Sequence, residues 1–444
     1  MTDGENHVRP RAPRLDNKVG PLARLRLRFR VRGVAPSTGR RLPGVEGLRA
    51  IAATSILVIH TWGEASRSGP PDLGRLGNNH IGDFSYGVTL FFALSGFLLY
   101  RPFVAAMLRS EPRPAFTRYL RNRALRILPA YWVILLLCAL VLGSAFFRDS
   151  QGVLHQGRLI DPGLLAQAGL FAQDYDPNTL LTGIGPAWSL AVEAVFYLTL
   201  PLLVLVAFGL GSRATRFNVR IAAALAPAAI LLGVGLAGRA VAWKVFPAPV
   251  WAGWGTHWHA VVERSFFCQA DLFTFGMALA VARVLWEDGR LRLPRHWRAA
   301  AAVTALAAYA VSSRVSWMDA QLSYSPYNTL MALACALLVA LVVLTPPDRS
   351  YLVRLLETRW LVGLGIISYS VFLWHDPIIW FLRDHGLTFA GRIGLVANVA
   401  IVFATTVVLS WLTYRFVEAP ALRLKFRDRG ATEAAAASQV QAAP

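Results

Sequence analysis

Blocks of roughly 20 apolar residues recur along this 444-residue chain, and they constrain its fold more than any other feature. An α-helix of that length crosses about 30 Å of hydrocarbon, and in lipid only helices and closed barrels satisfy their own backbone. Ten segments read this way, at 45–63, 86–106, 127–148, 188–210, 221–240, 263–284, 299–312, 325–344, 360–381 and 392–413. A weaker apolar piece at 163–173 predicts an interfacial or re-entrant helix. Charged residues make up 16% of the chain, against about 25% in a soluble domain. The expected fold is an all-α, polytopic membrane bundle of about ten transmembrane helices.

The connecting loops alternate in charge. Loops 107–126, 211–220, 285–298 and 345–359 carry sixteen arginines, whereas 64–85, 149–187, 241–262, 313–324 and 382–391 together carry six Lys or Arg. The positive-inside rule then places the Arg-rich loops and both termini in the cytoplasm, with the protein in the cytoplasmic (inner) membrane. The net charge of +20 follows this alternation and forms no basic face, which excludes a nucleic-acid partner. Residues 1–43, with eleven Lys or Arg and no signal-peptide stretch, read as a disordered basic tail. Residues 427–444 read as an Ala-rich tail, leaving 44–426 as the membrane domain. Cys138, Cys268 and Cys335 all fall in apolar blocks with neither disulfide nor zinc spacing, and no metal site is expected. The Trp- and His-rich loop 241–262 reads either as an interfacial aromatic belt or as a sugar-stacking surface.

Ionisable groups inside apolar helices are costly and point to function. In "GVEGLRAIAATSILVIHTW", Arg49 and His60 are eleven residues apart, about three turns plus 20°, and so share one helix face. His60, His375 in "ISYSVFLWHDPII" and Glu193 in "PAWSLAVEAVFYLTLP" all fall about 21–23 Å from the inner ends of their helices. Two histidines and a carboxylate at one depth suit proton transfer, because imidazole titrates near neutrality and a carboxylate orients it. Interhelical hydrogen bonding is the structural alternative. In "RYLRNRALRILPAY", Arg123 and Arg126 are i, i+3 neighbours that with Arg49, and with Arg101 as a further candidate, form a basic cup for phosphates. Arg118 and Arg121 fit ordinary topology. Ser95 and Gly96 interrupt the apolar run "LFFALSGFLLY", as small residues do where helices pack closely.

The strings "GVEGLRAIAATSILVIH", "YGVTLFFALSGFLL", "YLRNRALRILPAYW", "PAWSLAVEAVFYLTLP", "LGIISYSVFLWHDPI" and "YRFVEAP" occur in the order found in one family. From about 44 to 426 the chain resembles the acyltransferase-3 family of integral membrane O-acyltransferases, which modify surface polysaccharides, lipid-linked sugars and some macrolides. The family's pattern of an arginine, ten intervening residues and a histidine falls on Arg49 and His60. Its arginine pair falls on Arg123 and Arg126, its Trp-Ser-Leu and Glu on Trp188, Ser189, Leu190 and Glu193, and its tyrosine and histidine on Tyr369 and His375. This chain departs from the pattern at Glu46 (usually Asp), Ala191 (Ser), Ala194 and Val195 (Glu-Gln), Asp376 (commonly Trp) and Ala419 (commonly Arg).

The resemblance implies transfer of an acyl group, acetyl by default, from cytoplasmic acyl-CoA to a hydroxyl of a carbohydrate-containing acceptor. The phosphates would meet Arg49, Arg123 and Arg126. His60 would act as general base or as nucleophile, and Glu193 or His375 would orient it or the acceptor. Ser95 and Ser189 would hydrogen-bond the thioester or acceptor, with Trp188 and Tyr369 beside them. Many relatives carry a fused extracytoplasmic hydrolase-like domain; this chain is expected to act as the stand-alone transmembrane type. The rival reading is a proton-coupled carrier or flippase for a glycan or lipid-linked sugar. The absence of an inverted repeat and the one-sided arginine cup argue against it.

Overall fold

Gly44 adopts a positive φ of 83°, a conformation that glycine takes without strain, and turns the chain into helix α1, Val45–Glu64. The structure is a computed structural model and describes residues 41–212, 216–246, 255–318, 327–346 and 350–424. The expected N-terminal tail up to residue 40, the centre of the aromatic loop at 247–254, much of loop 313–324 and the Ala-rich end lie outside the described residues.

The other long helices are α2 (Gly87–Arg109), α3 (Phe116–Leu136), α4 (Trp188–Ser212), α5 (Phe217–Val245), α6 (Thr274–Glu287), α7 (Trp297–Met318), α8 (Tyr327–Val343), α9 (Arg359–Ile366), α10 (Ser368–Asp384) and α11 (Gly391–Thr413). Six helical stretches among the described residues are long and apolar enough to cross a membrane, and a seventh is added if α9 and α10, bent by 73°, form one span. The protein is therefore a multi-pass helical membrane protein. Helix α1 falls short of that standard because Glu46, Arg49, His60 and Glu64 dilute its apolar run, and α8 is only 17 residues long. Several boundaries move. The segment expected at 127–148 begins at Phe116 and ends in a wider π-helical turn at Leu142, where Gly143 reverses the chain at φ 61°. Arg118, Arg121, Arg123 and Arg126 thus stand on α3 itself and not in a loop before it. Residues Ala145–Arg148 form β1, which pairs antiparallel with β2, Leu154–Gly157, while Phe146 bridges to Gly183. Part of the apolar piece at 163–173 forms a short helix, Pro162–Gly169, capped by the Asp161 carboxylate accepting from the Leu164 amide.

Close approach of α2 and α6 organises the centre. A Cβ at Gly96 would run into the carbonyl of Phe273, and one at Gly276 into that of Ala93. Small residues are what allow helix backbones to meet in lipid. Phe92, Phe273 and Phe196 stack across this contact, with ring centroids 4.7 and 4.1 Å apart, and tie in α4. At the C-terminal ends of α2 and α6, Glu287 accepts from Arg101 at 2.6 Å and from Arg283 at 2.7 Å. Arg101 is therefore committed to this ion cluster and does not join the basic cup. A second buried pair, Arg239 with Asp271, is closed by Thr329, whose hydroxyl lies 2.5 Å from Asp271, and by the Cys268 carbonyl 3.0 Å from the Arg239 Nε. The three cysteines are buried and free.

Candidate active site

Helices α1, α2, α3, α4 and α10 enclose a crevice of about 720 Å³, open solvent at its mouth included. Arg49, Ser95, Arg123, Arg126, Ser189, Glu193 and Tyr369, seven residues singled out in the sequence, line it together. Tyr197 completes the polar wall, and Val88, Phe91, Phe92, Leu94 and Phe372 supply the apolar one. The crevice is thus basic on one side and apolar on another, the pattern that an anionic ligand with an apolar extension requires.

The polar groups are held from behind. Arg126 pairs with Glu418 at 2.8 Å, and Glu418, 1% exposed, also accepts from the Ser370 hydroxyl at 2.5 Å. Tyr369 donates to the Ile127 carbonyl at 2.9 Å, and its ring lies 5.8 Å below the Arg126 guanidinium. Arg49 makes a looser i, i+3 pair with Glu46 at 3.6 Å. Glu193 accepts a hydrogen bond from Ser95, which fixes α4 against α2. Ser189 donates to the Pro186 carbonyl at 3.1 Å at the start of α4.

Behind the apolar wall stands a histidine pair. His60 Nδ1 lies 2.7 Å from His375 Nε2, and the rings stack with centroids 4.9 Å apart. Phe372, which lines the crevice, is 5.7 Å from the His375 ring and meets Phe91 edge-on at 6.1 Å. His60 and His375 therefore meet as their matched depths predict, one aromatic layer beyond the crevice lining. Glu193 does not join them, because its side of α4 faces Ser95. The carboxylates beside His60 are instead Glu64, one turn along α1, and Asp376. One oxygen of each and a ring nitrogen of His60 lie within 4.8 Å of one another, a mixed nitrogen–oxygen set of the kind that holds a divalent cation.

Trp188 does not line the crevice: it packs on Leu180, Leu181 and Ala260, with the Arg264 guanidinium 5.9 Å from its ring. Beneath that layer, Asp174 is buried among Gln173 and the loop backbone, and desolvation pushes its carboxyl up to about 7. Three residues at the site carry no signal in the sequence that singles them out, Glu418, Glu64 and Tyr197. Glu418 lies in "YRFVEAP", where local spacing points to no chemistry, and Glu64 sits at a helix end where the apolar run stops.

A family model described as an acyltransferase domain matches residues 42–415. The chain belongs to this acyltransferase family. It is 28% identical over 404 residues to a protein named as membrane-bound transacylase BcsY from Komagataeibacter xylinus, covering 85% of this chain and 84% of that one. It is 25% identical to a protein named as peptidoglycan O-acetyltransferase YrhL from Bacillus subtilis, covering 88% of this chain and 56% of that protein. It is 22% identical to the O-acetyltransferase OatA of Staphylococcus aureus, covering 87% of this chain and 58% of that protein. No solved structure matches. The acyltransferase is thus a membrane O-acyltransferase, and family membership decides for the enzyme over the carrier.

Proposed function

We propose that the protein transfers an acyl group, acetyl in the first instance, from cytoplasmic acyl-CoA to a hydroxyl of a carbohydrate-containing acceptor such as a cell-surface glycan, a lipid-linked sugar or a glycosylated metabolite. The observation that carries this reading is a crevice lined by three arginines whose apolar wall backs onto a histidine pair. Guanidinium groups recognise phosphate through paired hydrogen bonds, so Arg49, Arg123 and Arg126 hold the nucleotide end of acyl-CoA. Its thioester end extends past Ser95 and Ser189 towards Phe91 and Phe372. Arg49 and His60 are about 16 Å apart along α1, which separates the phosphate anchor from the base.

His60 acts as general base and takes the proton of the acceptor hydroxyl. The oxygen attacks the thioester carbonyl, the carbon–sulfur bond breaks, and the CoA thiolate leaves with that proton. His375 holds the His60 ring, and Glu193 positions Ser95 on the crevice wall. Names of relatives as O-acetyltransferases support the acetyl group, and the peptidoglycan in one of those names supports a glycan acceptor. In this reading residues 44–426 form the catalytic domain, with ten spans and both termini cytoplasmic, in the cytoplasmic membrane. Purified protein given acetyl-CoA and a panel of glycan acceptors should release free CoA thiol only when an acceptor is present. Thiol release independent of every acceptor would contradict the assignment.

A further inference from the structure

Two carboxyl groups and an imidazole converge at the end of α1 remote from Arg49. His60 and Glu64 are i and i+4 on α1 and present their side chains on one face. Asp376 approaches from α10, is 3% exposed, and its Oδ2 has no hydrogen-bond partner. The Oε2 of Glu64 is likewise buried without one. The Arg383 guanidinium donates to the Glu64 main-chain carbonyl at 3.2 Å. Asp83, on the short helix that packs against α1, is bound by Tyr309 at 2.6 Å and Ser313 at 2.9 Å.

Two carboxylates pressed together without a counter-charge are costly away from water, and a cation between them removes that cost. A shared proton would account for the carboxyl pair but not for the imidazole nitrogen converging on the same point. His60 also has the outer partner typical of a metal ligand. His375 occupies its Nδ1, fixes the ring, and leaves Nε2 for the cation. One nitrogen and two carboxylate oxygens match a borderline cation such as Zn²⁺ better than Mg²⁺ or Ca²⁺, which favour oxygen alone. His60 and Glu64 are only half-buried.

We propose that His60, Glu64 and Asp376 form a divalent-cation site of zinc type, and that a cation bound there inhibits acyl transfer. The inhibition rests on His60 being the base, because a cation on Nε2 occupies the nitrogen that would receive the proton. The binding does not rest on that reading.

The test is calorimetric titration of the detergent-solubilised protein with Zn²⁺ alone, beside acyl transfer measured across the same zinc range. The site predicts one ion per chain, inhibition that tracks occupancy, and full recovery on adding EDTA. Glu64→Gln and Asp376→Asn should each weaken zinc binding at least tenfold and shift the inhibition curve equally, while a wild-type thermal unfolding transition in detergent reports a folded protein. Absence of a stoichiometric ion in the wild type, or equal binding in both variants, overturns the site. Binding without inhibition overturns the inhibitory role while leaving the site, and full activity of His60→Ala would instead locate the failure in the assignment of the base.

Discussion

His60 Nδ1 and His375 Nε2 face each other at 2.7 Å, so one ring must donate and the other accept. Only one arrangement leaves His60 able to take a proton. Nδ1–H of His60 donates to His375, and Nε2 of His60 stands open as the acceptor. His375 is thus a positioning residue that fixes the working tautomer of its partner.

That role predicts a specific pattern of loss. His375→Ala should lower kcat on the order of 100-fold, towards the low end of what proton transfer contributes, with the KM for acyl-CoA nearly unchanged. His375→Gln offers an amide oxygen in place of Nε2 and should recover part of the rate. Steady-state kinetics of both variants check this; equal losses would reduce His375 to a packing residue.

The basic cup predicts a separation between the two substrates. Arg123→Glu should raise the KM for acyl-CoA at least tenfold, since each hydrogen bond to a charged group contributes about 1.5–3 kcal/mol. The KM for the acceptor should stay within about twofold, as the crevice and the histidine pair lie on opposite sides of Phe372. Equal effects on both would dismantle the cup.

Asp174 predicts a pH dependence of stability. Its carboxyl is raised to about 7 in the folded protein against 3.8 ordinarily, so between these values the folded state keeps a proton that the unfolded state has lost. Stability therefore falls as pH rises through that window, by about 1.4 kcal/mol per pH unit, and its contribution is greatest below pH 4. Thermal unfolding in detergent from pH 4.5 to 7.5 should show wild type losing ground steadily to Asp174→Asn. Parallel curves for the two proteins would contradict the buried, protonated state.

The Arg239–Asp271 pair predicts damage without chemistry. Arg239→Ala leaves a buried carboxylate against Thr329 and should destabilise the fold by about 3–5 kcal/mol. The folded fraction should retain wild-type kcat, because neither residue lines the crevice. Thermal stability and specific activity, measured on the same preparation, separate the two effects.

Much of this site is legible in the sequence. Helical arithmetic placed Arg49 and His60 on one face, and counting depth brought His60 to His375. Depth carries no information about rotation, however, which is why Glu193 at the same level turns to Ser95 and Trp188 turns away to Leu180 and Ala260. Glu418 was out of reach for another reason. It meets Arg126 across 292 residues from a π-helical turn, where neither a 3.6-residue period nor local spacing tells which way a side chain points. Glu64 closes α1 where the apolar run gives way to polar residues, so it read as loop. The ten apolar blocks lie in helices at most of their length, yet the 73° bend between α9 and α10 left no proline at the break to announce it.

Acyl transfer by His60→Ala tests the whole account most directly. The variant should insert and unfold like wild type and still bind acetyl-CoA through Arg49, Arg123 and Arg126. Acceptor-dependent thiol release should fall by on the order of 10²–10⁴-fold, the range of a lost general base. Transfer at near wild-type rate by a correctly folded His60→Ala protein would contradict it.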